Sequence, residues 1–553
     1  MSAPMTIRAL IEARAAQYPD KPFLLAAPDE SAGESVSRNA DGATLTFGAL
    51  LERCQALDQR FRDAGLKPGD VVSVLMGNGI QTATLLLGAM YSGLIAHPLN
   101  LLCQTTQLAY VVEHSDTRMI FTSTQTGGAL AAALAALRKQ GVTREIALVQ
   151  TEPDAVALPV LPALLVPELA AADAANAASG GPDLSRPEAA EAAGAAGADI
   201  ALLMYTSGTT GAPKGVLLSH ENLHANARNI SIEHRLGADD RVLASLPLYH
   251  INGLVVTLLA PLWHAGSVVL PPRFSARTFW RDAARYGCTW INVVPTIIAY
   301  LLDGDEPDGL DLEAREALRA LKFCRSASAA LPADHHRAFE ARFGIGVIET
   351  MGMTETAAPV FSNPYDVSRR RIGSIGLPSG SEARVIDRDG RVCGPHECGE
   401  IVLRGEQVMR GYYKRHEDTA KAFTADGWLR TGDLGYRDDE GYFYINGRSK
   451  ELIIKGGENI APREIDEALL RHPGVLDAAA VGVPDSAYGQ EIVAFVVPRD
   501  AHWQGAPDPA DLRAHCLREL GRYKTPKEFR FVSELPRGPS GKVQRLKLVT
   551  PSG

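Results

Sequence analysis

The stretch YTSGTTGAPKGV at residues 205–216 places three glycines, three threonines, a serine and a lysine within twelve residues. Side chains this small and polar cannot build a core, so their types indicate a segment whose backbone a ligand approaches closely. Glycines expose backbone N–H groups, hydroxyls donate hydrogen bonds and lysine supplies positive charge, a combination that suits phosphate. The alternative is an ordinary loop, because most clusters of Gly, Ser and Thr bind nothing.

Neither of the two common phosphate motifs fits this stretch. A Walker A loop needs Gly-Lys followed by Ser or Thr, whereas Pro213 precedes Lys214 and Gly215 follows it. A dinucleotide-binding loop needs Gly-x-Gly, whereas two threonines separate Gly208 from Gly211. The sequence therefore predicts a third kind of phosphate loop.

The segments on either side of the loop are predicted from their apolar patterns. The apolar run at 198–205 predicts a strand that leads into the loop. The stretch 214–229 predicts a short apolar turn and then a helix that begins at Ser219 or Asn222.

Composition limits the class of protein. A formal net charge of −9 disfavours nucleic-acid binding. None of the seven cysteines forms a C-x-x-C pair, so no zinc site or disulfide framework is indicated, and we expect reduced thiols in the cytoplasm. The N-terminus lacks a secretory apolar core, and the uncharged stretch 83–102 contains glycines, His97 and Pro98. We therefore predict a buried helix-turn-strand there and no membrane span.

The order of helical and strand patterns predicts an α/β protein of two domains. Helices and strands alternate at 45–170 and again at 237–345, the rhythm of parallel sheets covered by helices. The Ala-rich stretch 168–198 predicts a flexible surface insertion, and short Gly-flanked strands from about 372 predict a small β-rich subdomain. We place an N-terminal domain at 1–446 and a small, mobile α+β domain at 447–553.

Five further motifs follow the Gly-rich loop in order along the chain. They are LPLYHINGL (246–254), MGMTE (351–355), GWLRTGDLG (427–435), GRSKELIIKGGENIAPREIDEAL (447–469) and LPRGPSGKVQR (535–545). Together with TSGTTGAPKG they resemble the adenylate-forming superfamily in its acyl-CoA synthetase branch, over essentially the whole chain. The resemblance implies ATP, Mg²⁺ and coenzyme A, and a reaction in two steps. A carboxylate first forms an acyl-adenylate and pyrophosphate, and a thiol then displaces AMP.

The resemblance assigns a nucleotide-binding role to residues in four of these motifs. Thr354 would bind the α-phosphate, Glu355 would hold Mg²⁺, and Asp433 with Arg448 would bind the ribose. Met351 stands where the family usually has a tyrosine that stacks on adenine. The further residues implied for ATP or AMP are Thr206, Ser207, Gly208, Thr209, Thr210, Gly211, Lys214, Ser328, Ala329, Glu349 and Gly352.

The C-terminal motifs imply a moving catalytic lysine. Lys542 would bridge the carboxylate and the α-phosphate during adenylation. Lys450 matches the hinge about which the C-terminal domain swings between the two steps. Gly456 and Gly457 would line the channel for the pantetheine arm of coenzyme A, where side chains would obstruct it.

The acyl pocket is expected to contain His250 and Asn252 from one motif, and Ser326 with Ala327 from the stretch FCRSASAALP at 323–332. This stretch most resembles oxalate–CoA ligases and their relatives, which include sulfoacetate–CoA ligase. Those oxalate enzymes carry His-Gln soon after the Thr-Glu pair, whereas Ala357–Pro359 occupy that region here. We predict a small polar or doubly charged acid such as sulfoacetate, oxalate or malonate.

Other functions remain open from the sequence alone. The chain could load a carrier protein supplied in trans, or could activate a medium-chain or aryl acid. A catalytically silent nucleotide-binding protein is disfavoured because Lys542 and Glu355 are both present. The expected partners are small molecules, and a homodimer is left as an open alternative.

Overall fold

The fold is taken from a computed structural model. It describes residues 6–28, 42–164, 199–206, 212–304, 309–448, 451–456, 458–486, 488–499, 507–537 and 543–549. The predicted insertion at 168–198 lies outside the described residues. So do Ser207, Gly208, Thr209, Thr210, Gly211, Lys450, Gly457 and Lys542.

The largest sheet of the described chain has nine strands and a parallel centre. Aromatic and β-branched residues fill its central strands, where both faces are buried, as at Trp290–Val293. Helices cross over between these parallel strands, as the alternating pattern predicts. In spatial order the strands are Leu377–Pro378, Ala358–Ser362, Val347–Met353, Phe323–Ser326, Trp290–Val293, Arg241–Leu243, Ser267–Leu270, Pro22–Ala26 and Thr44–Thr46.

A second, seven-stranded sheet packs against the first through buried helices. Every residue of the helix Ile80–Tyr91 is buried, and its side chains join those of both sheets in one continuous core. This helix and the strand Ile95–Pro98 confirm the predicted buried helix-turn-strand. In spatial order the strands are Gly411–Tyr412, Lys214–Ser219, Ile200–Thr206, Ile95–Pro98, Val71–Leu75, Met119–Thr122 and Ala147–Gln150.

One local prediction at the Gly-rich loop is wrong. Residues 214–219 form a strand rather than a turn, and this strand pairs antiparallel with Ile200–Thr206. The Gly-rich loop therefore connects two antiparallel strands in the sequence. The predicted helix begins after Ser219, whose hydroxyl accepts from the Asn222 backbone N–H at 3.3 Å, so the Ser219 alternative is confirmed.

The predicted β-rich subdomain is a four-stranded antiparallel sheet. Its strands, in spatial order, are Glu382–Ile386, Gly399–Arg404, Leu429–Arg437 and Phe443–Arg448.

The tail of the chain forms its own five-stranded sheet with its own core. Four strands run in the spatial order Glu458–Ile460, Ile453–Lys455, Gly489–Pro498 and Val475–Asp485, and Glu528–Phe531 pairs with Gly489–Pro498. The α/β fold with a small α+β tail is thus confirmed. The domain boundary after residue 446 stays a prediction.

Helices cover both large sheets and the tail. Among the described residues the α-helices are Ile7–Gln17, Phe47–Asp63, Ile80–Tyr91, Thr105–His114, Gly127–Lys139, His220–Glu233, Ala260–His264, Phe279–Arg285, Pro295–Asp303, Leu312–Leu318, Ala333–Phe343, His416–Ala422, Pro462–Leu470, Pro509–Lys524 and Arg545–Val549. The helix Asn252–Leu259 is a π-helix, and Thr354–Thr356 and Val367–Arg369 are 3₁₀ turns. Over the described part of the chain, no helix is both long enough and apolar enough to cross a membrane.

A buried ion pair anchors the chain just after residue 542. The Arg545 guanidinium pairs with the Asp466 carboxylate and also donates to the Ala480 carbonyl at 2.9 Å. Asp466 in turn accepts from the Ala480 backbone N–H at 2.6 Å. The ion pair therefore fixes the short helix Arg545–Val549 against the sheet of the tail.

Removing one partner of this pair should destabilise the tail. We expect Asp466→Ala to lower the free energy of unfolding by about 3 kcal/mol, because Arg545 would lose its closest carboxylate inside the fold and keep only Glu451, 3.4 Å from its Nε. Thermal unfolding followed by circular dichroism measures this loss. The matched control is Asp511→Ala, which removes an exposed carboxylate from the same domain and should change stability little. Equal effects of the two variants would contradict the prediction.

Candidate active site

The predicted phosphate lysine, at the start of the strand Lys214–Ser219, lies against a tyrosine and an aspartate. Lys214 is the Cα partner of Thr206, so these two residues flank the loop. The Lys214 ammonium lies 2.8 Å from an Asp418 carboxylate oxygen and 4.9 Å from the centre of the Tyr412 ring. The lysine thus has a charged partner within the protein.

Tyr412 connects this lysine to the predicted magnesium ligand. Its hydroxyl donates to Glu355 Oε1 at 2.8 Å, and its strand pairs with Lys214–Ser219. Burial, followed by the nearby Glu355 charge, raises the pKa of Tyr412, so the phenol stays a donor. Lys214 and Glu355 therefore both contact Tyr412, the lysine at the ring and the glutamate at the hydroxyl. The sequence motifs gave Tyr412 and Asp418 no role.

Thr354 follows the strand Val347–Met353, which also carries Met351 and Gly352. A Cβ built on Gly352 would lie 2.1 Å from the Ala358 carbonyl oxygen, so only glycine fits this close strand crossing. The strands Val347–Met353 and Phe323–Ser326 are parallel neighbours, so their carboxyl ends lie at the same edge of the sheet. Ligand sites of α/β sheets lie at this edge.

Asp433 and Arg448 face each other on paired strands. Asp433 is only 4% exposed, and its Oδ1 lies 2.9 Å from Arg448 Nε. The structure therefore brings together the two residues predicted at the ribose.

Glu349 is a buried carboxylate beside the predicted adenine and acyl segment. Burial raises its pKa to about 7, and its Oε1 accepts from the Leu331 backbone N–H at 3.2 Å. Its Cα partner on the neighbouring strand is Ser326, whose hydroxyl has no hydrogen-bond partner among the described residues. Ala327 is also buried, whereas Ala329 is exposed and Ser328 takes a left-handed φ of +74°. The strand end thus carries both buried and accessible polar groups.

Asn252, from the motif LPLYHINGL, contacts the segment FCRSASAALP. Its Nδ2 donates to Ser328 Oγ at 3.2 Å. His250 lies two residues earlier, with its ring 4.8 Å from that of Tyr249. The π-helix that begins at Asn252 is of a kind that is frequent at functional sites.

A buried arginine, which the motif analysis left without a role, completes this part of the site. Arg325 Nη1 donates to Asn252 Oδ1 at 2.8 Å and to Asn292 Oδ1 at 2.7 Å. The signal was present in the sequence, because Arg325 is the lone cation in FCRSASAALP.

The structure describes only one of the two glycines predicted at the coenzyme A channel. Gly456 has a left-handed φ of +56°, and a Cβ there would lie 3.0 Å from the Tyr523 hydroxyl oxygen and 3.5 Å from Tyr488 Cδ1. A side chain at this position would therefore be strained and would crowd the Tyr523 hydroxyl. Gly457, the hinge Lys450 and Lys542 lie outside the described residues.

Glu355 suits a hard cation although it stands alone. Over the described residues, no group of three or more His, Cys, Asp or Glu side chains could hold a metal ion. Mg²⁺ commonly binds through one or two carboxylates together with substrate phosphates, so a single buried carboxylate near Lys214 fits this ion.

Two family models match the chain. The model for "AMP-binding enzyme" matches residues 11–413, and the model for "AMP-binding enzyme C-terminal domain" matches residues 464–542.

Individual proteins match over nearly the whole length. A sulfoacetate–CoA ligase of Cupriavidus necator is 62% identical over 98% of this chain and 97% of its own. An oxalate–CoA ligase of Arabidopsis thaliana is 34% identical over 98% and 97%. The crystal structure of ATP-bound MatB from Rhodopseudomonas palustris has a TM-score of 0.81 at 29% identity, covering 99% of this chain and 98% of that one. The chain therefore belongs to the AMP-binding enzyme family, as an AMP-forming acid–CoA ligase.

Proposed function

We propose that the protein is an ATP-dependent sulfoacetate–CoA ligase that forms sulfoacetyl-CoA, AMP and pyrophosphate. The observation that carries the proposal is the 62% identity, over nearly the whole chain, to a sulfoacetate–CoA ligase. The small polar side chains at the carboxyl ends of the central strands support an acid of this size and polarity.

In the first step the acid's carboxylate attacks the α-phosphorus of ATP and pyrophosphate leaves. The Gly-rich loop at 206–211 and Lys214 would hold the β- and γ-phosphates, with Lys214 exchanging Asp418 for phosphate oxygen. Thr354 would donate to the α-phosphate. Glu355 would hold Mg²⁺, which supplies positive charge to the phosphates, and the Tyr412 hydroxyl would keep that carboxylate oriented.

The nucleoside would bind between the sheet edge and the β-rich subdomain. Asp433 would accept hydrogen bonds from the two ribose hydroxyls, and Arg448 beside it would assist at the ribose or a phosphate. Adenine would lie against Met351, whose thioether can pack on a ring face. Gly352, Glu349, Ser328 and Ala329 would form the rest of this subsite.

In the second step the thiol of coenzyme A attacks the acyl carbon and AMP leaves. Lys542 would stabilise the transition state of adenylation only, and the tail would then rotate about Lys450. Gly456 and Gly457 would leave room for the pantetheine arm. The close approach of Tyr488 and Tyr523 to Gly456 supports a narrow channel there.

The acid would bind in a pocket formed by His250, Asn252, Ser326 and Ala327. His250 would lie beside the reacting carboxylate. The Ser326 hydroxyl, which finds no partner within the described ranges, supports a polar ligand at this strand end.

We also expect the enzyme to work in the cytoplasm. All seven cysteines are free thiols, and five of them are buried, which suits a reducing compartment. Whether it forms a homodimer is a separate prediction that sedimentation would test.

Pyrophosphate release across a panel of acids tests the proposed substrate. With ATP and coenzyme A, sulfoacetate should give the highest kcat/KM, followed by oxalate and malonate, because the pocket is small and polar. Acetate, benzoate and octanoate serve as singly charged controls and should react at least about 100-fold more slowly. Higher activity with benzoate or octanoate would contradict the proposed acid while leaving the ligase chemistry intact.

Measuring the two half-reactions separately tests the role of Lys542. Lys542→Ala should slow adenylate formation by about 100- to 1,000-fold, because it removes positive charge from the transition state. Thioester formation from preformed sulfoacetyl-adenylate should change little. Lys547→Ala, which removes an exposed lysine from the next helix, is the matched control and should affect neither step. An equal loss in both half-reactions would contradict the moving-lysine mechanism.

A further inference from the structure

Lys455 and Arg325 are both buried cationic residues, and they differ in their partners. Lys455, which is 7% exposed, has its ammonium 2.6 Å from a Glu491 carboxylate oxygen. Arg325, which is 1% exposed, pairs with no Asp or Glu among the described residues. Arg325 is thus a buried charge without a compensating anion.

The contacts of Arg325 satisfy only part of its guanidinium. The amide oxygens of Asn252 and Asn292 both accept from Nη1, whereas Nε has no partner in the part of the chain that the structure describes. Burial lowers the pKa of Arg325 to about 9, so the group still carries its charge at neutral pH. A buried charge without an anion raises the free energy of the folded protein. An anionic ligand that binds beside the charge lowers this free energy again, so ligand binding is favoured.

The position of Arg325 connects it to the proposed acyl pocket. It precedes Ser326 at the carboxyl end of its strand, and Asn252 bridges it to Ser328. Asn252 is also two residues from His250, on the segment proposed to lie beside the reacting carboxylate. The Arg325 charge therefore lies next to the proposed acyl pocket, in contact with Asn252, which also contacts Ser328.

We propose that Arg325, held by the amides of Asn252 and Asn292, binds the second anionic group of the substrate and makes the enzyme selective for doubly charged acids. The inference rests on the proposed function, for which that second group is the sulfonate of sulfoacetate. The sulfonate stays ionised at all physiological pH values, and its oxygens match the donors of a guanidinium fork.

This arrangement explains how a small pocket rejects singly charged acids. Acetate would leave Arg325 buried and unpaired, whereas sulfoacetate neutralises it. A site with a polar group that the wrong ligand cannot satisfy discriminates far more strongly than a site that differs only in size.

The test compares sulfoacetate with methylsulfonylacetate, a neutral sulfone of nearly the same shape. The wild-type enzyme should prefer sulfoacetate in kcat/KM by about 30- to 1,000-fold. Arg325→Met should remove most of this preference by raising KM for sulfoacetate, while KM for ATP stays unchanged. Arg325→Lys, which keeps a charge but loses the fork, should keep part of the preference.

Asn292→Asp tests the same point with almost no change of shape. Its carboxylate would pair with Arg325 and neutralise it, so the preference should again fall. This variant also decides the question should Arg325→Met fail to fold. Arg370→Met is the matched control, because the Arg370 guanidinium is largely buried and donates only to backbone carbonyls among its hydrogen bonds, those of Pro364, Val347 and Tyr365. It should lower stability without altering the preference.

The outcomes separate this inference from the proposed function. A wild-type enzyme that does not activate sulfoacetate refutes the proposed function before any variant is made. An active wild type whose preference for sulfoacetate survives in a folded Arg325→Met or Asn292→Asp protein overturns the role of Arg325 alone. An equal loss of activity with both acids would show that Arg325 only supports the fold.

Discussion

The buried charge of Arg325 is the constraint around which the acid side of the site is arranged. Two neutral amides, one from the π-helix Asn252–Leu259 and one from the strand Trp290–Val293, hold the guanidinium in place. They fix its position without cancelling its charge. A carboxylate in either place would have satisfied the arginine within the protein and left nothing to attract a second anion.

The phosphate side of the site is built in the opposite way. Here three charged groups of the described chain already have partners: Lys214 has Asp418, Glu355 has the Tyr412 hydroxyl, and Asp433 has Arg448. These partners are partly exposed or can be displaced, so ATP can replace them with a small loss of free energy. A ligand that carries several charges itself can compete for them. The small acid carries only one charged group besides its reacting carboxylate. This group gains more binding free energy from a cation that has no anionic partner than from a cation that already has one.

The sequence was sufficient for the fold class and for the alternation of helices and strands, because those depend on local patterns. It failed where a role depends on contact between distant segments. Residues 214–219 are few and apolar, and only their pairing with Ile200–Thr206 makes them a strand. Tyr412 is about sixty residues from Glu355 along the chain, and no local pattern connects them. Arg325 stood in a recognised motif, yet only the structure shows that its partners are amides rather than carboxylates.

The position of the sulfur atom in a crystal of the protein with sulfoacetate and AMP would test the arrangement most directly. Anomalous scattering from that sulfur locates the sulfonate independently of the fitted orientation of the acid. The sulfonate oxygens should lie about 2.7–2.9 Å from the Arg325 nitrogens, with the carboxylate directed towards AMP. A sulfur peak remote from Arg325, or an unchanged pair of amide contacts around an unliganded guanidinium, would contradict the assignment.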